Sequence, residues 1–182
     1  MRIHSLLSPK CCVRQSPSNG RGVFAKEAFE AGELVAVWGG KVYTAEECAR
    51  LSQAVPQFST HAIGICEGYF LGSDNLFEFD DSELFNHSCD PNIGIRGQII
   101  LLTRRPVPAS EELVFDYETI DTDPGNFTCR CGAADCRGTL DGNAWRDPGF
   151  QRRHRGWLSC YIEDLIAESR KTPRGMTSLA TA

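Results

Sequence analysis

The sequence predicts a mainly β domain of short strands with few helices. Three observations carry that expectation. Short apolar, β-favouring runs recur between Gly-containing turns, as in "HAIGIC" and "YFLG" around Glu67-Gly68. Only two segments, "TAEECARLSQ" and "WLSCYIEDLIAESRK", carry helix signals. The stretch after Tyr117 is polar and turn-rich, without periodic apolar positions. At 182 residues the chain fits one domain with a modest extension.

Along the chain, residues 1–19 read as a lead-in that ends in "SNGRG", a Gly-rich bend. There Gly20 and Gly22 let the backbone turn tightly or lie against a ligand, and "GVFAKEAF" follows as a strand. "ELVAVWGGKVY" (33–43) is a β-rich run whose Gly39-Gly40 interruption points to a bulge or a close backbone approach. "TAEECARLSQ" is a helix, with Thr44 and Glu47 at capping-box spacing. Hairpins are expected around Glu67-Gly68 and, between "IGI" and "QIILLT", around Arg96-Gly97. "EELVFDY" (111–117) is another short strand. Apolar residues at 157, 158, 161, 162, 165 and 166 give a C-terminal helix one greasy face, for the body or for a partner groove. The final residues read as a loose tail.

Composition narrows the class. The chain is 41% hydrophobic and 24% charged, ordinary for a folded protein. No apolar run reaches the ~20 residues that span a bilayer. Before Ser8 the opening holds only Leu6-Leu7, too short for a secretory core. Nine cysteines without an export signal point to a reducing compartment, so the expectation is a cytoplasmic chain, or a nuclear one in a eukaryote. Residues 26–147 carry nine basic against 21 acidic side chains, a net of −12. Such a body discourages direct nucleic-acid binding and suits a basic, lysine-containing protein partner. A merely solubilising acidic surface is the bland alternative.

Two clusters carry chemistry. "NHSCDP" (86–91) sets an amide, an imidazole, a hydroxyl and a thiol in a row before a Pro. "CRCGAADC" brings Cys129, Cys131 and Cys136 within eight residues of polar chain that needs a staple to fold. Three thiols can converge on one Zn²⁺, which takes four tetrahedral ligands at a structural site, and Cys89 is the obvious fourth. Three free surface thiols are the other reading. Cys11, Cys12, Cys48, Cys66 and Cys160 lack a matching cluster and read as small core residues. A Cys89–His87 nucleophile pair would be poorly aligned for base catalysis. "SNGRGVF" lacks the Lys and the following helix of a phosphate loop. The carboxylates of "FEFDDSE" read more simply as a solvated edge.

The order of the pieces is informative. "GRG" at 20–22, the Gly turn of "WGGKVYTAEE", "FNHSCDPN" at 85–92, "EELVFDY" at 111–117 and "CRCGAADC" at 129–136 resemble the SET-domain protein lysine methyltransferases, including their post-SET zinc-binding segment. The likeness covers about residues 20–140. It implies a β-clip-like SET fold of small curled sheets with a threaded pseudoknot, few short helices and a C-terminal helix. The division it suggests is a lead-in at 1–19, a SET domain at 20–118, a post-SET zinc segment at 119–147, and a C-terminal helix with tail at 148–182.

The same likeness implies transfer of methyl groups from S-adenosylmethionine to the lysine side-chain amine of a protein. Arg21 and Gly22 would lie along the cosubstrate, with Asn86 and His87 holding its amino-acid and adenine portions and Leu140 touching the adenine. Tyr117 would be the catalytic tyrosine, and Phe115 would limit how many methyls fit, allowing more than one. Cys89, Cys129, Cys131 and Cys136 would share one structural zinc. Two departures stand out. Trp38 occupies the place of a second active-site Tyr and offers an N–H without an acceptor; it can still wall the lysine channel, and Tyr43 or Tyr69 are candidates to compensate. The basic residue usual upstream of the Asn-His motif is replaced by "DDSELF", an acidic run suited to a basic peptide. The alternative to an enzyme is a catalytically weak SET-like module that binds zinc and a partner protein.

Overall fold

The computed structural model describes residues 5–55, 61–73, 80–124 and 127–171. The expected tail and the first part of "FEFDDSE" lie outside the described residues. The sheets are small and mostly antiparallel. β1 (Leu6–Leu7), β4 (Leu34–Val37), β10 (Ile100–Thr103) and β9 (Ile93–Arg96) form one sheet in that order. β5 (Lys41–Thr44), β7 (Tyr69–Gly72) and β6 (Ile63–Cys66) form a second. Three two-stranded pairs complete the set: β2 (Cys11–Gln15) with β3 (Arg21–Ala25), β8 (Asn86–His87) with β11 (Val114–Phe115), and β12 (Phe127–Thr128) with β13 (Thr139–Leu140). The fold is the expected mainly β one, and both hairpins form where the turn residues placed them.

The run 33–43 is not one interrupted strand but two, in different sheets. Gly40, at φ +145°, turns the corner, and a Cβ there would collide with the Gly72 carbonyl oxygen. Only a glycine lets the backbone pass so close. "EELVFDY" is likewise cut short. Leu113 N–H bonds to the Val23 carbonyl (2.8 Å) and Val114 N–H to Asn92 Oδ1 (2.8 Å), leaving only two residues to pair with β8. That pair is parallel, and it lodges the Asn-His motif between β3 and β11. Tyr117–Thr119 then closes as one 3-10 turn, whose first residue is preceded by the cap Asp116.

Three α-helices among the described residues follow simple local rules. α1 (Ala45–Ala54) has the predicted capping box: Glu47 N–H donates to Thr44 Oγ1 (3.2 Å) and Thr44 N–H to Glu47 Oε2 (2.9 Å). α2 (Pro148–Arg153) is a helix that apolar spacing does not announce. Its start is nonetheless written in "DPG", because Asp147 accepts from the Gly149 and Phe150 N–H groups and Pro148 sits at the first turn. α3 (Cys160–Lys171) begins three residues later than the apolar pattern, since Ser159 Oγ accepts from Ile162 N–H (3.2 Å).

Two apolar cores result, besides a small cluster of Cys89, Cys129 and Leu140. The larger joins Val23, Phe29, Ile93, Ile95 and Leu101 to Phe115. The smaller joins Trp145 and Phe150 to Leu158, Ile162 and Ile166, so α3 seats its greasy face within the chain. Each large apolar side chain so buried contributes about 1.5–3 kcal/mol. None of the five unclustered cysteines is fully buried: Cys66 and Cys160 are exposed, and Cys11, Cys12 and Cys48 only partly covered. Cys11 packs against the larger core, as expected, whereas the other four lie on strand and helix surfaces outside the cores.

Candidate functional site

A cavity of about 800 Å³ opens between α1, the β5–β7–β6 sheet and the β8–β11 pair. Its floor is aromatic. The Trp38 ring meets Phe115 edge-on at 5.6 Å, and the Phe115 ring lies 5.0 Å from Tyr117. Trp38 Nε1–H donates to the Ser82 carbonyl (2.7 Å), so this side chain turns an apolar face to the cavity. Neither Tyr43 nor Tyr69 is among the lining residues: Tyr43 gives its hydroxyl to the Ser73 carbonyl (2.8 Å), and Tyr69 is exposed at the sheet surface. The lining is also acidic, with Glu83, Asp121 and Asp123 against Arg21. Burial pushes the Asp121 carboxyl above its ordinary value.

Tyr117 is fixed at both ends. Its hydroxyl donates to the Phe85 carbonyl (3.0 Å), and its backbone N–H donates to His87 Nδ1 (3.2 Å). Burial raises the phenol above the ordinary tyrosine range. It therefore stays protonated at neutral pH, and can orient a neighbour but not deprotonate it.

Asn86 also lines the cavity. Its amide nitrogen faces the carbonyls of Asn19 (3.1 Å) and Arg21 (3.1 Å) and Oε1 of Glu112 (2.7 Å). Ser16 donates to the other Glu112 oxygen (2.9 Å). Gly22 has a reason for being glycine within the fold itself. A Cβ there would overlap Glu112 Oε1 and come within 2.8 Å of Asn86 Nδ2. Arg21 is exposed and lies 3.7 Å from Asp81.

Behind this wall the thiols meet. Cys89 Sγ is 3.9 Å from Cys129 Sγ, which is 3.6 Å from Cys136 Sγ. Donor atoms of His87, Cys89, Cys129 and Cys131 all lie within 4.8 Å of one another, a group able to hold a metal ion. Two backbone N–H groups point at sulfur: Cys89 to Cys131 Sγ and Arg137 to Cys89 Sγ, both at 3.4 Å. Burial pushes Cys89 up to about 11 and raises Cys129, whereas Cys131, despite its burial, is drawn down to about 6 by the Cys89 and Ala133 N–H groups. Leu140 is fully buried against this cluster rather than lining the cavity. The His87 ring also lies behind the wall, with Nε2 3.3 Å from Cys89 Sγ. Burial, against the pull of Asp116, lowers its pKa to about 4 and keeps the ring neutral.

The family profile described as SET domain matches residues 20–118, more than half of the chain. The chain belongs to the SET-domain family. It is 33% identical over 144 residues to "Histone-lysine N-methyltransferase, H3 lysine-4 specific" of Cryptococcus neoformans var. neoformans, covering 70% of this chain and 9% of that protein. It is 29% identical over 167 residues to histone-lysine N-methyltransferase SUV39H2 of Xenopus tropicalis, covering 72% of this chain and 39% of that protein. The chain thus spans well under half the length of these curated relatives. A similar solved structure is a humanized mutant of the Chaetomium thermophilum Polycomb Repressive Complex 2 bound to the inhibitor GSK126. Its TM-score is 0.49 at 24% identity, covering 59% of this chain and 14% of that one. Among the described residues no helix is long and apolar enough to cross a membrane.

Within the SET domain the site has members that motif reading passes over. Glu112 orders Asn86, and Asp116 and Glu118 lie fully buried on either side of Tyr117. The doubled acid of "EEL" and the "DYE" triplet are visible in sequence, but both look like solvated charge until their partners are known. Phe127, 6.0 Å from the Tyr117 ring, adds a further aromatic from β12.

Proposed function

We propose that this chain transfers methyl groups from S-adenosylmethionine to the side-chain amine of lysine in a basic protein. The observation that carries the reading is that Tyr117, Phe115 and Asn86 share one cavity in a SET domain. S-adenosylmethionine supplies an electrophilic methyl on a sulfonium. The amine lone pair forms the new N–C bond as the C–S bond breaks, the bonding electrons stay on sulfur, and the extra amine proton leaves to solvent. Tyr117, kept protonated, orients the amine rather than deprotonating it, so the lysine must arrive neutral. Alignment and the exclusion of water by the Trp38–Phe115–Tyr117 wall are the chain's contributions to rate. The acidic lining and the net charge of the central body favour a cationic peptide.

The cysteine lobe fits a structural zinc. Tetrahedral Zn–S bonds of ~2.3 Å give sulfur–sulfur edges of ~3.8 Å. The 3.6 and 3.9 Å separations in the structure bracket that edge. Cys89, Cys129, Cys131 and Cys136 would hold the metal. His87 is better cast as a donor than as a ligand, because Nδ1 accepts from Tyr117 and leaves the Nε2 proton facing Cys89 Sγ. In this reading residues 119–147 are a zinc-held lobe on the SET domain of 20–118. Arg21, Gly22, Asn86, His87 and Leu140 shape the cosubstrate site, Gly22 and Leu140 by their packing.

A second reading, a catalytically weak interaction module, is favoured by Trp38, whose only polar group is committed to Ser82. Incubation of the purified chain with methyl-labelled cosubstrate and lysine-rich proteins separates the two. The enzyme labels a protein, and Tyr117→Phe lowers the rate about a hundredfold. Cosubstrate binding without transfer to any protein tested would establish the module instead.

A further inference from the structure

Arg137 follows the last cysteine of the lobe, yet its side chain leaves the lobe altogether. Nη1 and Nη2 donate to the two oxygens of Asp116 at 2.7 and 2.6 Å, and Nε donates to Glu118 Oε2 at 3.1 Å. The Asp116 and Glu118 side chains are 0% and 2% exposed, so this planar fork satisfies two carboxylates withdrawn from water. Between them in sequence, Tyr117 lines the cavity and also packs against the cysteine cluster. The guanidinium is backed by the Phe150 ring of α2 at 5.3 Å. Glu118 Oε1 takes the Ala144 N–H (3.2 Å), and His154 Nε2 stands 3.5 Å from Asp116 Oδ2. The same residue's backbone N–H meets Cys89 Sγ at 3.4 Å.

We infer that Arg137 is a positioning residue that transmits the seating of the cysteine lobe to Tyr117 by gripping the two residues that flank it. The chain of contacts is short. The lobe fixes the Arg137 backbone, the fork fixes Asp116 and Glu118, and those fix the direction in which the phenol projects. Withdrawing the lobe leaves two buried carboxylates without their cation, and the 3-10 turn of 117–119 loses its anchor. A lysine cannot substitute, because one ammonium lacks the planar fork that reaches three carboxylate oxygens at once. The inference rests on the methyltransferase reading only in taking Tyr117 as the working residue.

Hydrogen exchange on the full chain tests it, comparing wild type with Arg137→Lys and measuring bound metal alongside. The expected result is one metal per chain in both proteins. Amides of 116–119 exchange at least tenfold faster in the variant, those of β9 and β10 stay within twofold, and kcat falls with the cosubstrate KM within threefold. Unchanged exchange at 116–119, or an equal acceleration across the whole chain, overturns the inference. Should Arg137→Lys fail to fold, Glu118→Ala removes one arm of the fork while sparing Asp116. Faster exchange confined to 116–119 there supports the grip, and no change refutes it. Exchange is read without turnover, so a wild type that transfers no methyl would overturn the enzymatic reading and leave this measurement standing.

Discussion

Tyr117 is held through groups that are not its own chemistry: its hydroxyl rests on the Phe85 carbonyl and its amide on the His87 ring. Its neighbour Phe115 is 5% exposed and contributes no polar atom to the cavity. The consequence belongs to this scale. In the proposed reaction a growing methylamine would meet only carbon at Phe115, with no hydroxyl on that ring to anchor a water or the nitrogen in one pose. Wild type is therefore expected to pass beyond one methyl, and Phe115→Tyr to stop mainly at the first, as read by the product mass ladder on a peptide substrate. Equal ladders from the two proteins would remove Phe115 from this role. The motif residues were legible because their chemistry is local and their order distinctive. Arg137, Asp116 and Glu118 were not, since a buried ion pair looks in sequence like any surface charge; only the fold reveals that the three meet.

Elements were legible wherever a local rule decides them, as with the Thr44–Glu47 cap and the two hairpins at Gly68 and Gly97. They were not where a tertiary contact decides. The Gly39-Gly40 interruption of the 33–43 run is legible as a close backbone approach, but its partner, the Gly72 carbonyl, and the split of the run between two sheets are not. The lobe of β12 and β13 is the extreme case. Its small core is Leu140 and the thiols with Phe127 and Tyr117 against them, and under the proposed function a bound ion would carry much of its stability. Chelation should lower the thermal midpoint and abolish cosubstrate binding together, measured by calorimetry. Four-sulfur ligation makes a sharper claim. Cys136→Ser should weaken metal binding by tenfold or more, while His87→Gln keeps one metal per chain. The reverse ranking would make His87 a ligand.

Across the whole molecule, the C-terminal segment is built into the SET-domain body. His154, 0% exposed, packs its ring 4.3 Å from Phe150 and accepts from Arg104 at Nδ1 (3.3 Å), which leaves its Nε2 proton facing Asp116. Burial, opposed by Asp116 and reinforced by Arg104, Arg153 and Arg137, lowers its pKa to about 4 from the 6.5 of an unfolded chain. Between those values the unfolded chain binds the extra proton and the folded chain does not. Stability therefore falls as pH drops through that window and is fully present above pH 6.5. From pH 7 to pH 5 this single group should cost about 2 kcal/mol. His87 titrates with the same sign, so the comparison has to isolate His154. Urea unfolding of wild type and His154→Gln at both pH values does so, because every other group is common to the two proteins. Wild type should lose about 2 kcal/mol more than the variant over that interval. Equal losses would mean that His154 takes up its proton at the same pH in the folded chain as in the unfolded one, so that its burial beside Phe150 and Arg104 does not hold it neutral.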